Sequence, residues 1–129
     1  NIYLGQMFLN PNEFIRRNKQ KRSAKLMKLH DKFDLPRNQR LIESFACALE
    51  ASHFLHQGRL YIFRDYICFY ANMLGIGGEH KLILPITDIK CINREITILI
   101  FHNALSIELK DGVTYMFRTF VNRDLTYDI

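Results

Sequence analysis

The stretch Gln57-Gly58-Arg59-Leu60-Tyr61-Ile62-Phe63-Arg64-Asp65-Tyr66-Ile67-Cys68-Phe69-Tyr70-Ala71-Asn72 decides the fold. Two runs of β-branched and aromatic residues flank the polar break Arg64-Asp65, which predicts a β-hairpin. Such side chains suit a pleated, half-buried surface. Apolar groups fall on both faces of both runs, so both faces are expected to be covered, as in a strand pair wrapped inside a small barrel or sandwich.

Outward from this hairpin, strand follows strand. Residues 41–49 alternate, with Leu41, Phe45, Cys47 and Leu49 on one face and Ile42, Ser44, Ala46 and Ala48 on the other. Gly75-Ile76-Gly77-Gly78 reads as a turn, and 81–86 and 88–94 read as two short strands parted at Pro85-Ile86-Thr87. The apolar 96–101 is expected to bend into a strand over 103–109. Asp111-Gly112 is the strongest hairpin turn in the chain, since both positions tolerate positive φ. A last strand follows over 115–121. Asn122 then reads as an N-cap, with Asp124 in the first turn of a terminal helix.

Upstream, 1–11 is apolar without a period. Asn12 reads as the cap of a helix entering a basic segment, with Glu13 favourable in its first turn. Leu26, Met27, Leu29, His30 and Phe33 keep helical spacing and predict a helix near 23–33 that ends before Leu35-Pro36. A helix, about seven short strands and a helix predict a small antiparallel barrel or sandwich with one end or edge covered by the closing helix.

Composition fits one such domain. The chain has 129 residues, 48% apolar and 12% aromatic, enough for a core but not for two ordinary domains. No run of roughly 18 apolar residues is present, and no secretory signal pattern. The chain begins without Met and ends as a helix opens, so it is expected to be a piece of a longer protein. Cys47, Cys68 and Cys91 match no zinc or disulfide framework and read as small apolar side chains of a reduced, cytoplasmic protein.

Charge is unevenly placed. Residues 1–33 hold eight Lys and Arg against two acids, a balance of +6, whereas 34–129 hold ten against eleven, a balance of −1. Arg16, Arg17, Lys19, Lys21, Arg22, Lys25 and Lys28 form the basic run. Anionic lipid is one counterpart, at about 1 kcal/mol per basic residue near a charged surface. Nucleic acid is another, although Phe14 alone offers a stacking ring. A solvated linker or helix face is the plain alternative.

No motif of an enzyme emerges: no H-E-x-x-H, no G-x-S-x-G and no phosphate loop ending in Gly-Lys-Ser/Thr. Gly75-Ile76-Gly77-Gly78 precedes a strand, not a helix N-terminus, and so is a turn. His53 and His56, three apart in a strand or loop, do not share a face, so no metal site is expected. Asp65, Glu79, Asp88 and Asp111 stand at predicted turns, where acids serve the backbone. Neither catalysis nor a cofactor is expected.

Several ordered motifs remain: Phe33-Asp34-Leu35-Pro36, Leu41-Ile42, Phe45-Ala46-Cys47-Ala48-Leu49 and Leu55-His56-Gln57-Gly58-Arg59-Leu60-Tyr61. Tyr66-Ile67-Cys68-Phe69-Tyr70-Ala71-Asn72-Met73-Leu74-Gly75, Leu84-Pro85-Ile86, Asn103-Ala104-Leu105 and Arg123-Asp124 follow in turn. Over residues 33–129 the chain resembles the GRAM domain, a pleckstrin-homology-like module, and looks closest to the GRAM domains of Aster- and Lam-type sterol transporters at membrane contact sites. The resemblance implies a seven-stranded, strongly bent barrel-like sandwich closed by a C-terminal helix, with 1–32 a partly helical basic extension. It also implies a non-catalytic module that binds anionic phospholipid head groups, phosphatidylserine or phosphoinositides, and sits peripherally at membranes. Arg94 and Arg123 occupy basic positions of the family pattern, and a guanidinium suits phosphate or carboxylate. A salt bridge near the helix start is the alternative for Arg123.

Residues 95–100 contain no Lys where Aster-type domains carry a Lys-rich connection, and His102 stands where Pro is usual. Ile96, Ile98 and Leu99 then offer an apolar contact with the bilayer interface or a partner, or form an ordinary buried strand and bend. A protein-interaction module that kept the scaffold but lost the lipid site is the competing reading.

Overall fold

The structure is a computed structural model that describes residues 10–72, 78–97 and 102–119. The chain divides into two units, one ending at Gln39 and the other beginning at Arg40.

The first unit is built on helix α1 (Pro11–Phe33). Its cap is Asn10, whose Oδ1 accepts a bond from Glu13 N at 2.7 Å. Asn12, the cap expected from sequence, lies inside the first turn: Pro11, with no N–H to leave unpaired, takes the first helical position and sets the start two residues earlier. The helix runs unbroken through 17–25, where apolar periodicity is missing but Arg, Lys, Gln and Ala are all good helix formers. At its end Asp34 adopts a left-handed conformation (φ 53°) while Leu35 N bonds His30 O at 2.8 Å. This is the capping arrangement in which glycine usually takes Asp34's place. Arg37 then donates to Met27 O (2.9 Å) and Asp31 Oδ1 (2.7 Å), and the buried His30 donates from Nε2 to Gln39 O at 2.6 Å.

The second unit is a curled seven-stranded antiparallel sheet. Its strands are β1 (Leu41–Ala51), β2 (Phe54–Phe63), β3 (Tyr66–Asn72), β4 (Glu79–Pro85), β5 (Ile89–Thr97), β6 (His102–Leu109) and β7 (Thr114–Thr119). Their spatial order is β4-β3-β2-β1-β7-β6-β5, so β1 meets β7 and the two edges are β4 and β5. A single 3-10 turn, Ile86–Asp88, joins those edges and is tied down by Ile86 N to Asp65 O at 2.9 Å.

The predicted hairpin is present, with Leu60 opposite Phe69 and Tyr61 opposite Cys68. Cys47, Leu49, Leu60, Ile67, Phe69, Leu84, Ile107 and Phe117 fill the inside of the curl. Phe69 of β3 and Phe117 of β7, which are not sheet neighbours, meet there with ring centroids 5.3 Å apart. Ala48, Phe63 and Cys68 point to the other face and are also buried, so both faces of this region are shielded, as the two-sided apolar pattern required.

Turn geometry differs from expectation in one place. Only Gly112 of the Asp111-Gly112 pair takes a positive φ (95°). Asp111 acts through its side chain, accepting from Val113 N at 3.0 Å, in a four-residue connection from Lys110 to Val113. The two-residue turn with positive φ at both positions is Ser52-His53, between β1 and β2, with φ 50° and 68°. The Gly75-Ile76-Gly77-Gly78 turn up to Gly77, the connection 98–101 and the terminal helix expected from Asn122 lie outside the described residues.

Candidate functional site

Two surfaces carry the residues singled out by sequence, one in each unit. On α1 the basic residues Arg16, Arg17, Lys19, Lys21, Arg22, Lys25 and Lys28 are all exposed. Glu13 is the acid nearest to the first of them. It pairs with Arg16 at i+3 and with Arg17 at i+4. The hydrogen bond from Arg16 holds the Glu13 carboxyl below its ordinary range, and the same bond raises the Arg16 guanidinium. Between Glu13 and Asp31 the helix carries no other acid. Arg17, Lys21, Lys25 and Lys28, spaced four, four and three residues apart, fall on one face of the helix.

In the sheet, Arg94 stands on edge strand β5 opposite Leu105 of β6. Leu105 in turn faces Phe117 of β7, which fixes Arg94 on the inward side of the curl although its side chain reaches solvent. There it borders a cleft of about 240 Å³ whose apolar walls include Phe45, Leu60, Ile62, Ile67 and Ile92, and which Glu43 also lines. Ile96 belongs to the same strand, in register with Asn103. Arg123, Ile98 and Leu99 lie outside the described residues, so Arg94 stands alone of the two arginines in the described site.

Sequence reading missed three features. The cleft is assembled from β1, β2, β3, β5, β6 and β7, and no local pattern announces it. Phe54 and Leu55, 69% and 50% exposed beside the Ser52-His53 turn, are the second. Their apolar run was visible, but its exposure follows only from the turn. The third is a ring contact between His56 of β2 and His80 of β4, centroids 5.4 Å apart, brought together by pairing through β3.

A basic helix followed by a curled seven-stranded antiparallel sheet makes a small, mainly β module. The family model of the GRAM domain matches residues 27–129, and the chain belongs to that family. It is 41% identical over 97 residues to Protein VASCULAR ASSOCIATED DEATH 1, chloroplastic, of Arabidopsis thaliana, covering 75% of this chain and 16% of that protein. It is 33% identical over 101 residues to Membrane-anchored lipid-binding protein LAM5 of Saccharomyces cerevisiae, covering 78% and 14%. To human Protein Aster-B it is 37% identical over 93 residues, covering 72% and 12%. The chain thus spans well under a fifth of the length of these relatives. Among solved structures, the C-terminal domain of an unknown protein from Leishmania infantum shares the fold, with TM-score 0.64 at 24% identity, covering 79% of this chain and 90% of that one. No helix among the described residues is long and apolar enough to cross a membrane.

Proposed function

We propose that this chain is a non-catalytic membrane-targeting module that binds anionic phospholipid head groups as part of a larger protein. The observation that carries the reading is the segregation of charge. The +6 of residues 1–33 is displayed on an exposed helix, whereas the rest of the chain is almost neutral. Membership of a family that includes a protein named as membrane-anchored and lipid-binding supports it. In this reading Arg94 and Arg123 engage a phosphate or carboxylate head group, and Ile96, Ile98 and Leu99 provide the apolar contact. The module comprises a basic extension, 1–32, and a GRAM domain, 33–129, and it works at a membrane surface on the cytoplasmic side.

The test is sedimentation with phosphatidylserine or mixed phosphoinositide vesicles at low and near-physiological salt, with phosphatidylcholine vesicles as the reference. Arg94→Glu/Arg123→Glu is run beside the parent chain. Loss in that variant assigns head-group binding to the sheet unit. Binding to none of the anionic vesicles at either salt sinks the proposal.

A second reading, a protein-interaction module, is favoured by the cleft. Its walls are apolar, and its lining carries one charge of each sign, Glu43 and Arg94, a pattern that suits an amphipathic peptide better than a multiply charged head group. Partner binding of that kind would survive the Arg94 reversal under high salt better than lipid binding does.

A further inference from the structure

We infer that one face of α1, carrying Arg17, Lys21, Lys25 and Lys28 with Phe14 at its head, lies flat on an anionic lipid leaflet; this rests on the lipid-binding reading above. The residues are exposed, and Phe14, 45% exposed, stands on the same line one turn ahead of them. From Arg17 to Lys28 the line is about 16 Å long, and neighbouring charges lie about 5–6 Å apart, inside a Debye length of roughly 8 Å. A flat anionic surface therefore meets all of them together. Of the apolar and buried side chains in the last two turns, Leu26, His30 and Phe33 fall on the opposite side and the half-buried Leu29 to one flank, so contact through the basic line does not require them to be uncovered. Lys32 extends the line but is half-buried and already partnered, and the inference does not use it.

Lipid fits this face better than nucleic acid. A single aromatic residue at one end makes no stacking platform for successive bases. One ring ahead of a row of long cationic side chains suits a surface contact made mainly by charge. The ring enters the head-group boundary while the Lys stems lie along it and their ammonium groups remain among the phosphates and carboxylates.

The chain has no tryptophan, so Phe14→Trp introduces the only indole. With vesicles holding about 30% phosphatidylserine, its emission is expected to shift to the blue, and with phosphatidylcholine alone to stay unshifted. Phe54→Trp, on the exposed β1–β2 turn, is expected to stay unshifted with both. The triple variant Lys21→Ala/Lys25→Ala/Lys28→Ala should lower vesicle affinity on the order of a hundredfold. Arg16→Ala/Lys19→Ala/Arg22→Ala removes the same charge from the far side of the helix and should cost no more than about tenfold. Alanine favours the helix at these exposed sites, so far-ultraviolet circular dichroism should show α1 intact in both.

Equal losses in the two triple variants, or no loss in either, overturn the face assignment while leaving the lipid reading standing. A blue shift at position 54 in place of position 14 moves the contact to the sheet and does the same. No binding of the unmodified chain to the anionic vesicles overturns both. Capture of a single-stranded RNA oligomer without vesicle binding assigns the face to nucleic acid.

Discussion

Gly58 shows how a single residue fixes the hairpin that the sequence announces. A Cβ built there would stand 2.2 Å from Tyr70 O, 2.8 Å from Phe69 Cζ and 2.9 Å from Ala71 Cα. Two of those atoms are backbone of the neighbouring strand, so relief requires β2 and β3 to part. Gly58 lies among extended residues, and its need for glycine is steric, not conformational. Gly58→Ala is therefore expected to cost about 2–3 kcal/mol, an overpacking penalty, read as a lower urea midpoint at unchanged slope. An unmoved midpoint would mean the strands separate at little cost. The two fully buried cysteines make a second residue-scale case. Burial pushes the thiols of Cys47 and Cys68 up to about 12 from an ordinary 9.0. Above pH 9 the unfolded chain releases these protons while the folded one retains them, so the unfolded state is favoured as pH rises toward 12. Each cysteine should then lower stability by about 1.4 kcal/mol per pH unit across that window, and neither should contribute below it. Urea midpoints measured upward from about pH 8 should fall more steeply for the parent chain than for Cys47→Ala/Cys68→Ala, whose cavities lower stability at every pH alike. Parallel slopes would refute the argument.

At the scale of elements, the turn between β1 and β2 is an unfavourable local solution. Ser52 and His53 both take positive φ, the backbone of a type I′ hairpin turn, which Asn-Gly adopts most readily. Ser52→Asn/His53→Gly should raise stability by about 1 kcal/mol, seen as a higher melting temperature, and a lower one would show that the native side chains contribute contacts of their own. The same turn explains a limit of sequence reading. Strands were legible where aromatic and β-branched residues alternate and Gly or Pro marks the breaks, as around Arg64-Asp65 and Pro85. Ser52-His53 carries no such mark. The middle of α1 was illegible for a related reason: Arg17 to Lys25 has strong helix formers but no apolar stripe, because nothing in that stretch is buried. The cleft beside Arg94 is further still from the sequence, since Phe45, Ile67 and Ile92 meet only after the sheet has curled. Arg94 itself was reached through family resemblance, and its inward-facing position follows from register alone.

For the whole molecule, the net charge of +5 is a misleading average of a +6 segment and a remainder near zero. In the sheet unit, cations are offset locally: Lys90 lies 3.4 Å from Glu108 and Arg118 lies 3.2 Å from Glu50. Exposed pairs of this kind add little stability, but they cancel the field that a distant anionic surface would sense. Salt screens what remains beyond roughly 8 Å at physiological strength, so a lysine counts toward membrane affinity only where it can approach the surface without an acid beside it. Lys81→Ala/Lys90→Ala/Lys110→Ala lowers the formal charge as much as Lys21→Ala/Lys25→Ala/Lys28→Ala does. Yet its affinity for phosphatidylserine vesicles at near-physiological salt should stay within about threefold of the parent chain. Sedimentation of the two variants side by side separates the possibilities. If both decline together, affinity follows the total charge of the molecule and the helix has no privileged part in it. If only the helix variant declines, the placement of charge, set by a 23-residue helix with acids confined to its ends, is what directs the chain to a membrane.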